Sequence, residues 1–304
     1  MMSQKSDVRP AGAAIPASLQ AGTKRAASSL FFVALRNGRV RVGALIILPL
    51  IAMALLAGVI APQDPLQIHA DAAFTAPGHG GYLLGSDEYG RDVLSRLLYG
   101  ARISLRVAIA SVLIAASGGI LLGLLAGYFG GWVDVAIMRA TDVMLAFPPI
   151  LLAIAVLAFL GNSQTNLILT IGILYMSRFV RVVYSAVNGV KHHEYVASAR
   201  IVGASDGRII RTAILPNVLA PILVQVSLSL GFAILLEAGL SFLGLGAPPP
   251  TPSWGVMLAS GRDYMDTAPT LVVWPSLAVA LVVIAFNFLG DGLRDALDPQ
   301  LRRS

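Results

Sequence analysis

Five stretches of the chain carry no charged side chain over a length able to cross a bilayer: Val42 to Ala61, Val107 to Val133, Val143 to Ser177, Thr212 to Leu236 and Thr267 to Gly290. A charge at the bilayer centre costs about 2.5 kcal/mol or more, and about 20 apolar residues cross the hydrocarbon core. The third stretch is 35 residues long, roughly 50 Å as a straight helix, and "GNSQTN" at 161–166 interrupts it. Splitting it there predicts six spans. The fourth runs from about Leu167 to Val187 and carries Arg178 and Arg181 towards one end, where they snorkel. The pattern predicts an all-α integral membrane protein with about six transmembrane helices.

The composition agrees, with 56% hydrophobic and only 12% charged residues, about half the charge of an ordinary soluble domain. The formal charge of +6 does not point to nucleic acid, because the basic residues are scattered between apolar runs. They follow topology instead. With the N-terminus inside, 17 of the 22 lysines and arginines fall on inner segments, leaving Arg91, Arg96, Arg102, Arg106 and Arg262 outside. Both termini are therefore expected in the cytoplasm. Residues 1–41 read as a basic tail, 42–61 as the first span, 62–102 as an extracytoplasmic segment, 103–291 as a five-helix core and 292–304 as a cytoplasmic tail. No cysteine is present, which removes disulfides and thiolate chemistry.

Two outer segments are patterned. In "DEYGRDVLSRLLYGARISL", Leu94, Leu97, Leu98 and Ala101 follow helical spacing and Asp92 stands four residues before Arg96, predicting an amphipathic helix on the membrane surface. In "SFLGLGAPPPTPSWGVMLASGRDY", glycine, proline and aromatics fit a segment that dips into the interface or caps an external vestibule. An interfacial loop anchored by Trp254 and Tyr264 fits equally well.

The largest inner loop, Arg178 to Asn217, reads helix, turn, helix. Glu194 to Val202 is a short helical run, Gly203 permits a sharp turn, and Ser205 or Asp206 caps a second helix running through Arg211. Ala197, Ser198 and Ala199 allow another surface to approach closely, and Arg200, Arg208 and Arg211 supply charge. The order of acid, small residues, Gly203 and "ILPN" at 214–217 resembles the EAA loop of ABC importer permeases, through which the membrane subunit receives force from its ATPase. The resemblance extends over roughly residues 83–302, through "GLLAGYFGGWVD", "DVMLAFPPILLAIA", "EAGLSFLGLGAPPPTPSWGVML" and "AFNFLGDGLRDALDPQLR". These look like the dipeptide, oligopeptide and nickel permeases of the binding-protein-dependent ABC importers.

That resemblance implies a type I importer transmembrane domain in a bacterial inner membrane. Its implied partners are a second similar permease, two cytoplasmic ATPases that carry the ATP and Mg, and an extracytoplasmic solute-binding protein. It also implies a coupling loop at about 188–217, with Glu194, Ala197, Ser198, Ala199, Arg200, Gly203 and Pro216 as its contact and shaping residues. Counting back from Gly203 puts the EAA triplet on Ala197, Ser198 and Ala199, so its glutamate is missing. Glu194 stands one helical turn earlier.

The only lysines are Lys5, Lys24 and Lys191, none in a G-x-x-x-x-G-K-[ST] phosphate loop, so the chain is not expected to bind a nucleotide or other cofactor or to act as an enzyme. Its histidines, His69, His79, His192 and His193, offer no metal site. Polar residues inside spans are the candidates for a pathway: Gln225 and Ser229 on one face of the fifth span, Glu237 at its outer end, and Asn287 in the sixth. Lining a route and bridging helices account for them equally. The rival function is a self-sufficient secondary transporter or channel, for which inverted repeats, broken helices and ion-coupling carboxylates at mid-membrane would be the signs; apart from the boundary residue Glu237, the sequence shows none.

Overall fold

The computed structural model describes residues 37–297. Of the tails expected at 1–41 and 292–304, residues 1–36 and 298–304 lie outside the described residues, and the rest belongs to the ends of the first and last helices. Ten helices follow: α1 Gly38–Ile60, α2 Val93–Phe129, α3 Gly131–Ala146, α4 Pro149–Leu160, α5 Gln164–Val190, α6 Glu194–Ile201, α7 Asp206–Ile209, α8 Leu215–Phe242, α9 Trp254–Arg262 and α10 Thr270–Leu297. A π-helical turn, Ile210–Ile214, joins α7 to α8. Among the described residues there is no strand, only two isolated bridges in the 61–92 segment. Five helices are long and apolar enough to cross a membrane, with α7, the π turn and α8 acting as one; a bent pair, α3 and α4, makes a sixth span.

The bundle is centred on α2 and α5, which bury much of their length against each other and are flanked by α8 and then α10 and α1. Glycines set the central spacing. A side chain at Gly123 would meet Val183 Cβ at 2.7 Å, and one at Gly127 would meet Val187 Cβ at 2.8 Å. Gly119 is closed off in the same way by Phe179. Lipid tails are as apolar as leucine, so helices in a membrane gain from close approach of small residues rather than from apolar burial. At the edge, Gly43 of α1 sits under Leu289 Cγ, 2.8 Å from where its own Cβ would be.

The third span is broken. After Ala146 the chain bends by 94° before α4 begins, because Pro148 and Pro149 supply no amide hydrogens to continue α3. The pair still runs from one end of the bundle to the other. Its start, after Gly130, lies beside Lys191, whose Nζ donates to Gly127 O at 2.9 Å. Its finish, at Asn162, donates from Nδ2 to Gly244 O at 2.8 Å, beyond the far end of α8.

Two expectations for the outer segments are corrected. The amphipathic helix is not a separate element, since it forms the first turns of α2, the sequence between Val93 and Val107 containing nothing that stops a helix. Nor does Asp92 pair with Arg96. Asp92 caps α2, its Oδ2 accepting from Ser95 N at 2.8 Å and Ser95 Oγ at 2.6 Å. Arg96 turns to Asp87 at 3.2 Å. In the second segment, α9 is packed inside the bundle rather than lying as a loop. Trp254 is buried, with Nε1 donating to Leu97 O at 3.1 Å over the space left by Gly100. It therefore acts as a core wedge, not as an interfacial anchor.

Candidate functional site

The 188–217 segment is held rigidly at one end of the bundle. After α5, residues 191–193 turn, which places His192 and His193 outside any helix, and α6 begins at Glu194. α6 ends in a Schellman turn: Ala204 N donates to Ala199 O at 3.0 Å and Gly203 N to Arg200 O at 2.9 Å. This geometry puts Gly203 at φ +79°, with open space where a side chain would be. The requirement for glycine is thus conformational rather than steric within the chain.

Ser205 occupies the cap position of α7 without a side-chain hydrogen bond. Asp206 is used differently from the cap expected of it, its Oδ1 accepting from Tyr128 Oη at 2.6 Å. The Arg200 guanidinium lies 5.4 Å from the centre of the same Tyr128 ring. Tyr128, at the end of α2, therefore ties α6 and α7 to the bundle, and Lys191 ties the end of α5 to Gly127. Sequence reasoning missed both, and the one signal for Tyr128 was an aromatic hydroxyl at the end of an apolar run. Beneath α6, Val196, Ile209, Ile214 and Val218 are buried against Leu124, Val183 and Val187.

Pro216 explains the π turn. A proline at the second residue of α8 has no amide hydrogen, and the turn before it shifts to a wider bond, Leu215 N to Ile210 O. The carbonyl of Ala213, in the same turn, accepts from Asn217 Nδ2 at 2.7 Å. α7, the π turn and α8 thus form one continuous helical path from Asp206 to Phe242.

The exposed face of α6 carries Glu194, Ala197, Ser198 and Ile201, the i, i+3, i+4, i+7 stripe of one helical side. Ile201 and Val202 at its tip are 86% and 80% exposed. Ala199, the third member of the expected triplet, turns inward against the apolar cluster.

The pathway candidates separate. A groove of about 350 Å³ opens between α3, α5 and α8, lined by Leu145, Arg178, Arg181, Gln225, Leu228 and Phe232. Gln225 belongs to it, and its Nε2 donates to the buried Ser229 Oγ at 3.0 Å. Glu237 and Asn287 do not line it. Glu237 is buried where α2, α8 and α9 meet, with Ser241 Oγ donating to Oε1 at 2.8 Å and the hydroxyls of Ser104 and Ser253 around the same carboxyl. Asn287 is half-buried on α10. Arg178, expected to snorkel at a span end, lies near the middle of α5.

Residues 119–303 match the family described as binding-protein-dependent transport system inner membrane component. The chain is 46% identical to the di/tripeptide transport system permease protein DppC of Pseudomonas aeruginosa over 86% of its own length and 88% of that protein. It is likewise 46% identical to the glutathione transport system permease protein GsiD of Pectobacterium atrosepticum, covering 85% of this chain and 86% of that one. Among solved structures, a chain of the inward-facing MetNI methionine ABC transporter aligns with a TM-score of 0.55 at 16% identity, over 67% of this chain and 97% of that chain; at that identity the likeness concerns the fold. With the all-helical fold and its five to six candidate spans, these matches place the chain in the family of binding-protein-dependent transport system inner membrane components.

Proposed function

We propose that this permease subunit pairs with a second, similar permease over two cytoplasmic ATPases. It carries short peptides, handed over by an extracytoplasmic binding protein, across the bacterial inner membrane. Relatives named for dipeptide, tripeptide and glutathione transport support the substrate class. ATP and Mg belong to the ATPases, in keeping with the lack of a phosphate loop in this chain.

The observation that carries the reading is the outward stripe of α6, on a helix clamped by Tyr128 and continued through the π turn into α8. Glu194, Ala197, Ser198 and Ile201 seat in a groove of the ATPase, with Glu194 supplying the acidic contact that the triplet lacks. When the ATPases close on ATP, α6 moves and α8 tilts with it, exchanging access between the two sides.

Gly203→Leu tests this. Its φ of +79° costs a leucine about 1–2 kcal/mol, which the Schellman turn must absorb by shifting α6. Span hydropathy is untouched, so insertion is expected to be normal. ATPase recovered with a tagged permease should fall and uptake should be lost, while Glu194→Ala should give a partial loss of both. Normal ATPase recovery and normal uptake with Gly203→Leu would sink the lever.

A further inference from the structure

We propose that Arg178 forms a transit site for carboxylate-bearing solutes within the membrane part of the permease. Arg178 stands near the middle of α5, which runs from Gln164 to Val190. No carboxylate among the described residues lies within ion-pair distance of it. Its neighbour one turn along differs, because Arg181 is neutralised by Asp142 at 2.6 Å. The Arg178 guanidinium instead rests between two rings, 4.9 Å from the centre of Tyr175 and 5.5 Å from that of Phe232.

That placement has a cost unless something offsets it. A charged side chain at membrane depth is retained where it faces a water-filled cavity or has a partner, and Arg178 faces two hollows. One is the groove of about 350 Å³ shared with Gln225, and the other is a pocket of about 100 Å³ formed by Met144, Phe147, Pro149 and Tyr175 at the bend between α3 and α4. The aromatic rings hold the guanidinium by cation–π contact while leaving its N–H fork free.

A planar fork with no resident anion is complementary to a carboxylate, which it receives through two parallel hydrogen bonds. Gln225, pinned by Ser229, adds a neutral hydrogen-bonding group four residues along the α8 wall from that hydroxyl. The ligand class is therefore a small solute with a free carboxylate, such as the C-terminus of a short peptide. Strong retention would trap the solute, so the site is expected to bind weakly and release.

The naming of a peptide rests on the function proposed above, whereas the charge preference of the groove does not, and the test separates the two. The chain has no cysteine, so Val182→Cys places a single thiol in the groove, one turn from Arg178. In the assembled importer, its modification by anionic sulfonatoethyl and cationic trimethylammonioethyl thiosulfonates reads the local charge directly. With Arg178 present the anionic reagent should be favoured. Arg178→Gln should lower the anionic-to-cationic rate ratio about tenfold, and Arg178→Lys should retain most of it. Millimolar dipeptide should slow the anionic reagent, and the C-terminally amidated dipeptide should not. In proteoliposomes with saturating binding protein, Arg178→Gln should reduce maximal dipeptide uptake about tenfold with little change in apparent KM. A rate ratio unmoved by Arg178→Gln overturns the site, as does a loss of the second permease from the purified complex, which would make Arg178 an assembly contact. A ratio that moves in a wild-type importer unable to carry dipeptide would preserve the site and refute only the peptide reading.

Discussion

Asp87 shows how single charges organise the end of the bundle formed by the 61–92 segment. Its Oδ1 accepts from Tyr89 N and Arg91 N, each at 2.9 Å, and its Oδ2 meets Arg91 Nε at 2.7 Å and Arg96 Nε at 3.2 Å. Arg91 also reaches Glu88 Oε1 at 3.2 Å. Asp87 and the two arginines are buried, so each depends on the others for solvation. Glu88 is the dispensable member. Burial pushes its carboxyl above the ordinary value of 4.5, with Asp87 adding to the rise, and its backbone hydrogen bond and Arg91 only partly oppose this. A carboxyl whose folded value is raised binds its proton more tightly when folded. Its stabilising contribution is therefore present at acidic pH and is lost as pH climbs from about 4.5 through the folded value. Glu88→Gln should keep a hydrogen-bonding group without the buried charge. Its melting temperature at pH 7 should equal or exceed that of the parent, with less loss between acidic and neutral pH. A clear drop in melting temperature at pH 7 would mean that the Arg91 pair outweighs the burial cost.

At the scale of helices, the contact between α2 and α5 rests on Gly119, Gly123 and Gly127. Gly123→Leu must push Val183 away, and overpacking of this kind costs about 1–3 kcal/mol or more. Because α2 carries Tyr128 and α5 leads into Lys191, the two contacts that hold the 191–206 segment, separating these helices also loosens that segment. The expected result is a lower melting temperature and reduced ATPase recovery, with Gly123→Ala intermediate; wild-type values for both variants would show that the helices are spaced by something else. This stripe was present in the sequence yet unread, because glycine in an apolar run signals close approach only when the facing helix is known. The spans themselves were legible, since charge exclusion from the bilayer needs no partner to be recognised. The helix, turn and helix of 192–217 were legible too, as Gly203 and the residues after it are local signals. Other features were not, for reasons of the same kind. The bend at Pro148 hid inside an uncharged run, where hydropathy marks depth but not direction. Arg178 looked like an end residue because, as the first charge after a long apolar run, it was read as the start of the inner loop, whereas α5 continues as helix well past it to Val190. Tyr128 gained its meaning only from Arg200 and Asp206, more than 70 residues away.

For the molecule as a whole, independent contacts fix which helix ends lie together. Arg39 at the start of α1 pairs with Asp295 near the end of α10 at 2.8 Å. The other end of α1 lies beside the start of α2, where a side chain on Gly58 would come 3.6 Å from Tyr99 Oη. The end of α2, in turn, meets Lys191 beside the lever. Arg39, Asp295 and α6 therefore share one end of the bundle, and the 61–92 segment occupies the other. If α6 meets a cytoplasmic ATPase, both termini must be cytoplasmic, the orientation independently favoured by the excess of lysine and arginine on that side. Single cysteines at Asn37 and at the exposed Gln67 test this in a chain that has none of its own. An impermeant maleimide added outside cells whose outer membrane has been opened should label Gln67→Cys and spare Asn37→Cys, and inverted vesicles should reverse the pattern. Labelling of Asn37→Cys from outside intact inner membranes would turn the bundle over. It would also put α6 on the wrong side for any ATPase and remove the lever together with the topology.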